Sequence, residues 1–273
     1  MAIAVFEPLL AIYRIGSRRY LITQLVRREV LAKYRGSLLG IGWSFLYPLL
    51  LLAGFTMVFG GVFGGRWGDS QPIRSGLEMA LFIYCGLAVF TPVAEILTAA
   101  PKVLTANQNF IKKIVFPVEI LPLVAAIAAM IHGAAHLLLL AGAAAFTGHA
   151  STTMLLAPVA LVPVLLFSLG IAWAIAAAGA YIRDLAHGMP VLAQFLMFVL
   201  PVFYPSDAAP GPLRSINAWN PITLAIDDLR RTLLNGQAPD WERWLVAMLI
   251  GTGVLVLGLV FFMRCREEFA DVV

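Results

Sequence analysis

Polar residues in this chain fall in clumps, and the apolar runs between the clumps are long enough to cross a membrane as helices. Residues 38–63 carry no charge, and none appears before Arg66. At the helical rise such a run spans about 39 Å, more than a hydrocarbon core of about 30 Å requires. The same alternation predicts five further spans. Residues 79–100 are closed by Pro101 and Lys102. Residues 116–146 are long enough to need a tilt, and 147–153 form a short turn. Residues 154–181 run up to Arg183 and Asp184. Residues 189–204 are short and broken by Pro201, and 244–263 stop at Arg264 and Arg266.

Two amphipathic segments complete the pattern. Residues 17–35 predict a helix on the membrane surface: Leu21, Leu25 and Ala32 share a face with Ile22 and Val26 beside it, while Arg27, Tyr34 and Arg35 point elsewhere. Residues 205–243 are too many for a plain connection. Asn220 suits an N-cap, Pro221 the first helical position and Gly236 the stop. Ile222, Ile226, Leu229 and Leu233 then share one face, with Asp227 and Arg231 spaced to pair on the other. The expected fold is all-α and integral to the membrane, one domain over residues 1–273. It has six transmembrane helices, an N-terminal interface helix, and short interfacial or re-entrant helices between spans five and six.

Composition agrees, at 61% hydrophobic and 12% charged residues, where a soluble domain is nearer half and a quarter. The net charge of +4 does not point to nucleic acid, because the bases cluster at the span ends. Thirteen of them fall on one side and six on the other; the excess marks the cytoplasmic side and places both termini there. Residues 1–13 lack the basic start of a cleavable signal peptide. Cys85 lies in an apolar run and Cys265 in a basic tail, so neither a disulfide nor a metal site is expected.

Candidate chemistry is sparse. No G-x-x-x-x-G-K-[ST] loop occurs, so the chain is not expected to hold ATP itself. His132 and His136 have the helical spacing of metal ligands. With no third ligand in sight they read as histidines that hydrogen-bond between helices. Glu95 and Glu119 are the acids within apolar runs, and both fall near cytoplasmic ends, whereas a proton-coupled carrier buries acids nearer mid-span. An intramembrane transferase would have only His132, His136 and Glu119 to draw on. Gly60, Gly61, Gly64 and Gly65 offer small-residue spacing for close helix contact. Trp43 and Tyr47 lie one turn apart on span one, with Phe55 and Phe59 farther along; Phe195 and Phe198 pair on span five, ahead of Phe203 and Tyr204. Such rings give sugars an apolar face to stack on, although aromatic residues facing lipid are also normal.

Three groups of residues carry a family resemblance. The first is Tyr34-Arg35-Gly36-Ser37-Leu38-Leu39-Gly40 with Trp43-Ser44 and Tyr47-Pro48-Leu49. The second is Asn109-Phe110-Ile111-Lys112-Lys113, then Phe116-Pro117 and Glu119-Ile120-Leu121-Pro122. The third is Arg183-Asp184-Leu185, then Pro201, Phe203-Tyr204-Pro205 and Asn220-Pro221. In this order they resemble the transmembrane subunit of polysaccharide ABC exporters, the ABC-2 type permeases for O-antigen, capsule and teichoic acid.

The resemblance implies a permease that exports a lipid-linked glycan of the O-antigen kind across the inner membrane. Teichoic acid, capsule or another lipid-linked substrate is the alternative, and an ion-coupled secondary transporter is less favoured. Two copies of the chain would join two copies of a separate ATPase that binds the ATP and Mg; this chain would have no catalytic residue, cofactor or metal of its own. Arg27, Arg28, Asn107, Asn109, Lys112 and Lys113 would meet the ATPase. Trp43, Tyr47, Phe55, Phe59, Phe195, Phe198 and Tyr204 would line the channel. Pro205, Asn220, Ile226 and Leu229 would form an outer gate.

Overall fold

The computed structural model describes residues 17–61, 76–111 and 116–269, and these contain helices, turns and coil without a strand. The first helices are α1 (Arg19–Lys33), α2 (Trp43–Gly61), α3 (Gly76–Ala99) and the single turn α4 (Gln108–Ile111). After α5 (Ile120–Ala144) come the short α6 (Ala157–Ala160), then α7 (Val162–Tyr181) and α8 (Leu185–Val199). Last are α9 (Gly211–Asn217), α10 (Pro221–Leu233) and α11 (Trp241–Cys265). With their flanking turns, α2, α3, α5, α7 and α11 are long and apolar enough to cross a membrane; α8 is apolar but shorter. The chain is therefore a multi-pass membrane protein.

Local chemistry sets the breaks. Between α1 and α2 the chain turns through Gly36 (φ 81) and Gly40 (φ 52), in a region costly for any residue with a Cβ. Asn220 Oδ1 accepts the Ile222 amide at 2.9 Å, which makes it the N-cap of α10 as expected, and Pro221 follows at the first position. At the end of α8 the expectation fails. Pro201 does not break a span over 189–204: the helix starts earlier and ends at Val199, and Leu200 is extended (ψ 151). A residue before proline is pushed out of the helical region, so Pro201 acts as a stop. The resulting helix is about 22 Å long, short of the hydrocarbon core.

α3 is the centre of the bundle. Of its apolar stretch 72% is buried, against 11% for α2. Around it gather α2, α5, α8 and α10, with Ile83, Tyr84, Leu87 and Val89 meeting Leu200, Val202, Ile226 and Leu229 in one cluster. α1 packs on α5 through Leu25, Val26 and Val30 against Ile120, Val124 and Ala128. The buried stripe thus includes Val30, while the expected Ala32 is exposed. α10 is likewise no loosely laid surface helix, because Ile222, Ile226, Leu229 and Leu233 are all core residues.

The tightest contact joins α7 and α11. A Cβ built on Gly258 would lie 2.0 Å from the Gly170 carbonyl oxygen, and one on Gly170 would lie 2.4 Å from the Val254 oxygen. Lipid supplies no hydrophobic drive between helices, so close backbone packing of this kind does the holding. The small-residue spacing at Gly60 and Gly61 was a different expectation; Gly64 and Gly65 lie outside the described residues, as do the side-chain surroundings of the first two. Gly258→Ala should therefore lower the thermal midpoint of the detergent-purified chain markedly, since overpacking costs about 1–3 kcal/mol. Gly253→Ala, in open space on the same helix, should leave it unchanged.

Candidate functional site

Where the end of α1 meets the start of α2, a cavity of about 480 Å³ opens against α3 and α5. Lys33, Tyr34, Trp43, Ser44, Tyr47, Glu95, His132 and His136 are among its lining residues. Lys33 Nζ donates to Glu95 Oε2 at 2.9 Å, and His132 Nδ1 stands 2.8 Å from Glu95 Oε1. Lys33 Nζ also stands 3.1 Å from His132 Nδ1, so the three side chains form one cluster, while the buried Nε2 of His132 has no hydrogen-bond partner among the described residues. Tyr34 hydrogen-bonds Ser44 through its hydroxyl and sets its ring edge-on to His132 at 5.7 Å. Farther along α5, His136 Nδ1 meets the Tyr84 hydroxyl at 2.9 Å. Both histidines thus hydrogen-bond between helices, and no metal-ligand group occurs among the described residues. Glu119, the N-cap position of α5, sits apart from them, about 20 Å along the helix axis from His132, with Arg266 at 3.7 Å.

α1 and α4 form a second feature. Arg28 donates to Asn107 Oδ1 at 3.2 Å and lies 5.4 Å from the Phe110 ring centroid. Phe110 in turn stacks on Phe116 at 4.8 Å. Arg27 and Asn109 are exposed beside this joint. Four of the six expected ATPase-contact residues therefore fall on α1, on α4 and on the 3-10 turn Thr105–Asn107 that leads into α4; Lys112 and Lys113 lie outside the described residues.

The aromatic set is divided. Trp43 and Tyr47 line the cavity. Phe55 of α2 and Phe198 of α8 approach one another through Phe203, at 6.4 and 5.7 Å. Phe195 stands exposed on α8, and the side-chain surroundings of Phe59 are outside the described residues. Tyr204 turns its hydroxyl back to cap α8, donating to the Val199 carbonyl at 2.6 Å.

At the opposite end of α3, about 20 Å from Glu95, Arg230 is buried. It donates to the carbonyls of Phe82, Tyr204 and Val202 at 3.3, 3.3 and 2.9 Å, and its guanidinium stacks 3.6 Å from the Phe82 centroid. Burial pulls its pKa down to about 10, partly opposed by Asp227. Asp227 pairs with Arg230 at 3.7 Å. The expected partner, Arg231, donates instead to the Ala238 carbonyl, because it points toward the loop that returns from α10. Asp228 accepts the Asp240 amide at 2.9 Å, and burial raises its carboxyl to about 6. Of the expected gate, Pro205 borders a hollow beside these residues, Asn220 caps α10, and Ile226 and Leu229 are wholly buried.

The sequence profile of ABC-2 type transporters matches residues 20–234. The chain belongs to the ABC-2 type transporter family. It is 26% identical to the O-antigen export system permease protein RfbA of Myxococcus xanthus, over 93% of this chain and 95% of that one. Two RfbA permeases of Klebsiella pneumoniae share 23% and 25%, each over 95% of this chain and 97% of theirs. Within this ABC-2 architecture the Lys33–Glu95–His132 cluster was missed from sequence as a unit, since its members come from three helices. The signal available was the pair of polar residues in apolar runs, each one needing a partner.

Two measurements test this geometry. Glu95→Gln and Lys33→Met should each speed amide exchange in residues 19–33 about two- to fivefold, as befits a half-exposed ion pair, and the double variant should be no worse than either single. Asp228 has a folded pKa raised above its ordinary 3.8, so its contribution to stability is complete below that value and lost as pH rises through about 6. Asp228→Asn should accordingly raise the thermal midpoint at pH 8 and leave it nearly unchanged at pH 4.

Proposed function

We propose that this chain is the permease subunit of an ATP-driven exporter that carries a lipid-linked polysaccharide of the O-antigen type across the cytoplasmic membrane. The observation that carries this reading is the near-full-length similarity to three O-antigen export permeases within one family. Teichoic acid, capsule and other lipid-linked glycans share the chemistry of that cargo and stand as alternatives. In this reading α8 counts as the fifth of six spans, and both termini are cytoplasmic.

Two copies pair, each with a separate ATPase that holds ATP and Mg. The exposed side of α1 and α4, with Arg27, Arg28 and Asn109 and continuing into Lys112 and Lys113, receives the ATPase. Its closure pushes α1, and the push reaches α2 and α3 through Tyr34–Ser44 and Lys33–Glu95. The channel forms between copies along α2 and α8. The sparse burial of α2 and the exposure of Phe195 and Phe198 support this, since the other described residues leave these faces largely uncovered. Aromatic rings along them hold sugars weakly at successive places, as conduction requires.

An ion-coupled carrier is the second reading, favoured by the Glu95–His132 pair on a cavity. Lys33 weighs against it, because a carboxylate already engaged by a lysine serves as a fastener for α1. Dependence of export on an intact partner ATPase separates the two.

In cells making the glycan, loss of this chain should abolish surface display, and a hydrolysis-dead partner ATPase should do the same. Arg28→Glu should cut co-purification of the ATPase at least about tenfold, a like-charge clash at an interface costing several kcal/mol. A cysteine at Asn109 should cross-link to the ATPase; absence of any cross-link along 107–113 in the assembled complex would refute this docking face. Alanine at Tyr47, Phe55, Phe195 or Phe198 should lower export with assembly and ATP hydrolysis intact, and four variants exporting at the parent rate would remove the aromatic wall.

A further inference from the structure

The residues that follow the last span fold back onto the bundle. α11 ends at Cys265, the turn Arg266–Glu268 comes next, and Phe269 after it is wholly buried. Residues beyond a last packed helix are ordinarily loose unless something ties them down. Three contacts tie these. Phe269 sets its ring against Phe262 of α11 at 5.1 Å, and against Tyr181, the last residue of α7, at 6.3 Å. The Tyr181 hydroxyl donates to Glu268 Oε2 at 2.7 Å. Arg266 comes within 3.7 Å of the buried Glu119 carboxylate at the start of α5, which would otherwise be a buried charge without a counter-ion.

The place where this turn is anchored gives it a use. Phe262 and Phe269 share one buried cluster with Leu104 and Ile111, which belong to the segment between α3 and α5. That segment starts hard against α7: a Cβ built on Gly179 would lie 2.5 Å from the Pro101 carbonyl oxygen. Farther on, Phe116 packs against the cluster and stacks on Phe110 of α4, the ring beside Arg28. Between Pro101 and Ile111 the segment has only short turns and the single helical turn α4. Helices this short do not hold their shape alone. The shape presented at Asn107 and Asn109 is therefore set by the floor beneath, to which α7, α11 and Phe269 all contribute.

We propose that the turn Arg266–Glu268 and Phe269 brace the segment that carries α4, and that Phe269 and Tyr181 are positioning residues for the docking of the partner ATPase. That the docked partner is an ATPase rests on the exporter reading; the bracing itself does not. A partner bearing on α4 then stands on α7 and α11, the most closely packed pair of helices, while its other contact, α1, lies on α5.

The bracing is tested by hydrogen–deuterium exchange on the purified full-length chain. Phe269→Ala should speed exchange at residues 104–111 about tenfold, as the opening of a local unit does, with α3 held at the parent rate. Phe269→Leu keeps an apolar side chain of similar reach and should restore most of that protection. Parent-rate exchange at 104–111 in Phe269→Ala, or exchange that rises equally in α3, overturns the brace and makes Phe269 ordinary core. Should Phe269→Ala fail to fold, Tyr181→Phe decides instead. It removes one hydroxyl and should speed the same residues about two- to tenfold, the loss expected for one hydrogen bond; no change overturns the brace. In the assembled complex, cross-linking of a cysteine at Asn109 to the ATPase should fall about fivefold or more when Phe269→Ala is added. Faster exchange with undiminished cross-linking overturns the positioning role. Glycan display that persists with a hydrolysis-dead ATPase sinks the exporter reading, and loop exchange still decides the brace. Display that needs the ATPase, with loop exchange at the parent rate, sinks the brace alone.

Discussion

A buried stretch of non-helical backbone needs hydrogen-bond donors, and Arg230 supplies them. Between α8 and α9 the chain leaves the helical conformation at Leu200 and runs through the core, with Leu200 and Val202 at 1% and 0% exposure. Within a membrane such backbone is tolerated only where protein or trapped water satisfies it. One guanidinium reaches the carbonyls of Val202 and Tyr204 and also that of Phe82 on α3. The short α8, the seating of α10 and the hollows beside Asp227 all depend on that anchor. A charge this deep is tolerable because its hydrogen bonds, the Phe82 face and Asp227 together offset its desolvation.

Much of the fold was legible from sequence because long apolar runs have only helical solutions in a membrane. Five of the expected spans stand as membrane-length helices, and the N-cap at Asn220 was readable from a short local pattern. What failed had a tertiary cause. Pro201 could kink a helix or end one, and the packing of Val202 against α3, where a Cβ on Gly86 would come within 2.7 Å of it, adds to the proline's own restriction on Leu200 in favour of the ending. Arg230 and Arg231, three and four residues from Asp227, are both at pairing distance on a helix; the structure pairs Asp227 with the buried Arg230. Val30 replaced Ala32 in the α1 stripe because the groove of α5 defines the face, and α1's own pattern is interrupted by Arg27, Arg28 and Glu29.

The site was legible in pieces. Arg28 and Asn107 were singled out separately and prove to be hydrogen-bonded to each other. Trp43 and Tyr47 were chosen as wall residues and open onto the same cavity. Glu95 and His132 were each read as ordinary, and each alone would be. Their meaning comes from Lys33, which sequence placed on a surface helix with no hint that it reaches inward. The glycines of α7 and α11 were invisible for a similar reason: glycine is common in membrane helices, and only the facing carbonyl distinguishes a contact from a coincidence.

That glycine contact divides the molecule mechanically. α7 and α11 touch backbone to backbone at Gly170, Gly251 and Gly258, with side chains such as Trp173 and Leu259 packed in one cluster beside them, so they cannot slide without breaking van der Waals contact. α1 and α2, by contrast, meet at Gly36 and Gly40, where no heavy atom crowds the position a Cβ would take. The α7–α11 seam is therefore the part of the bundle least able to yield, whereas the α1–α2 joint is held by side chains, the Tyr34–Ser44 hydrogen bond and the Lys33–Glu95 pair, that can re-form after a small shift.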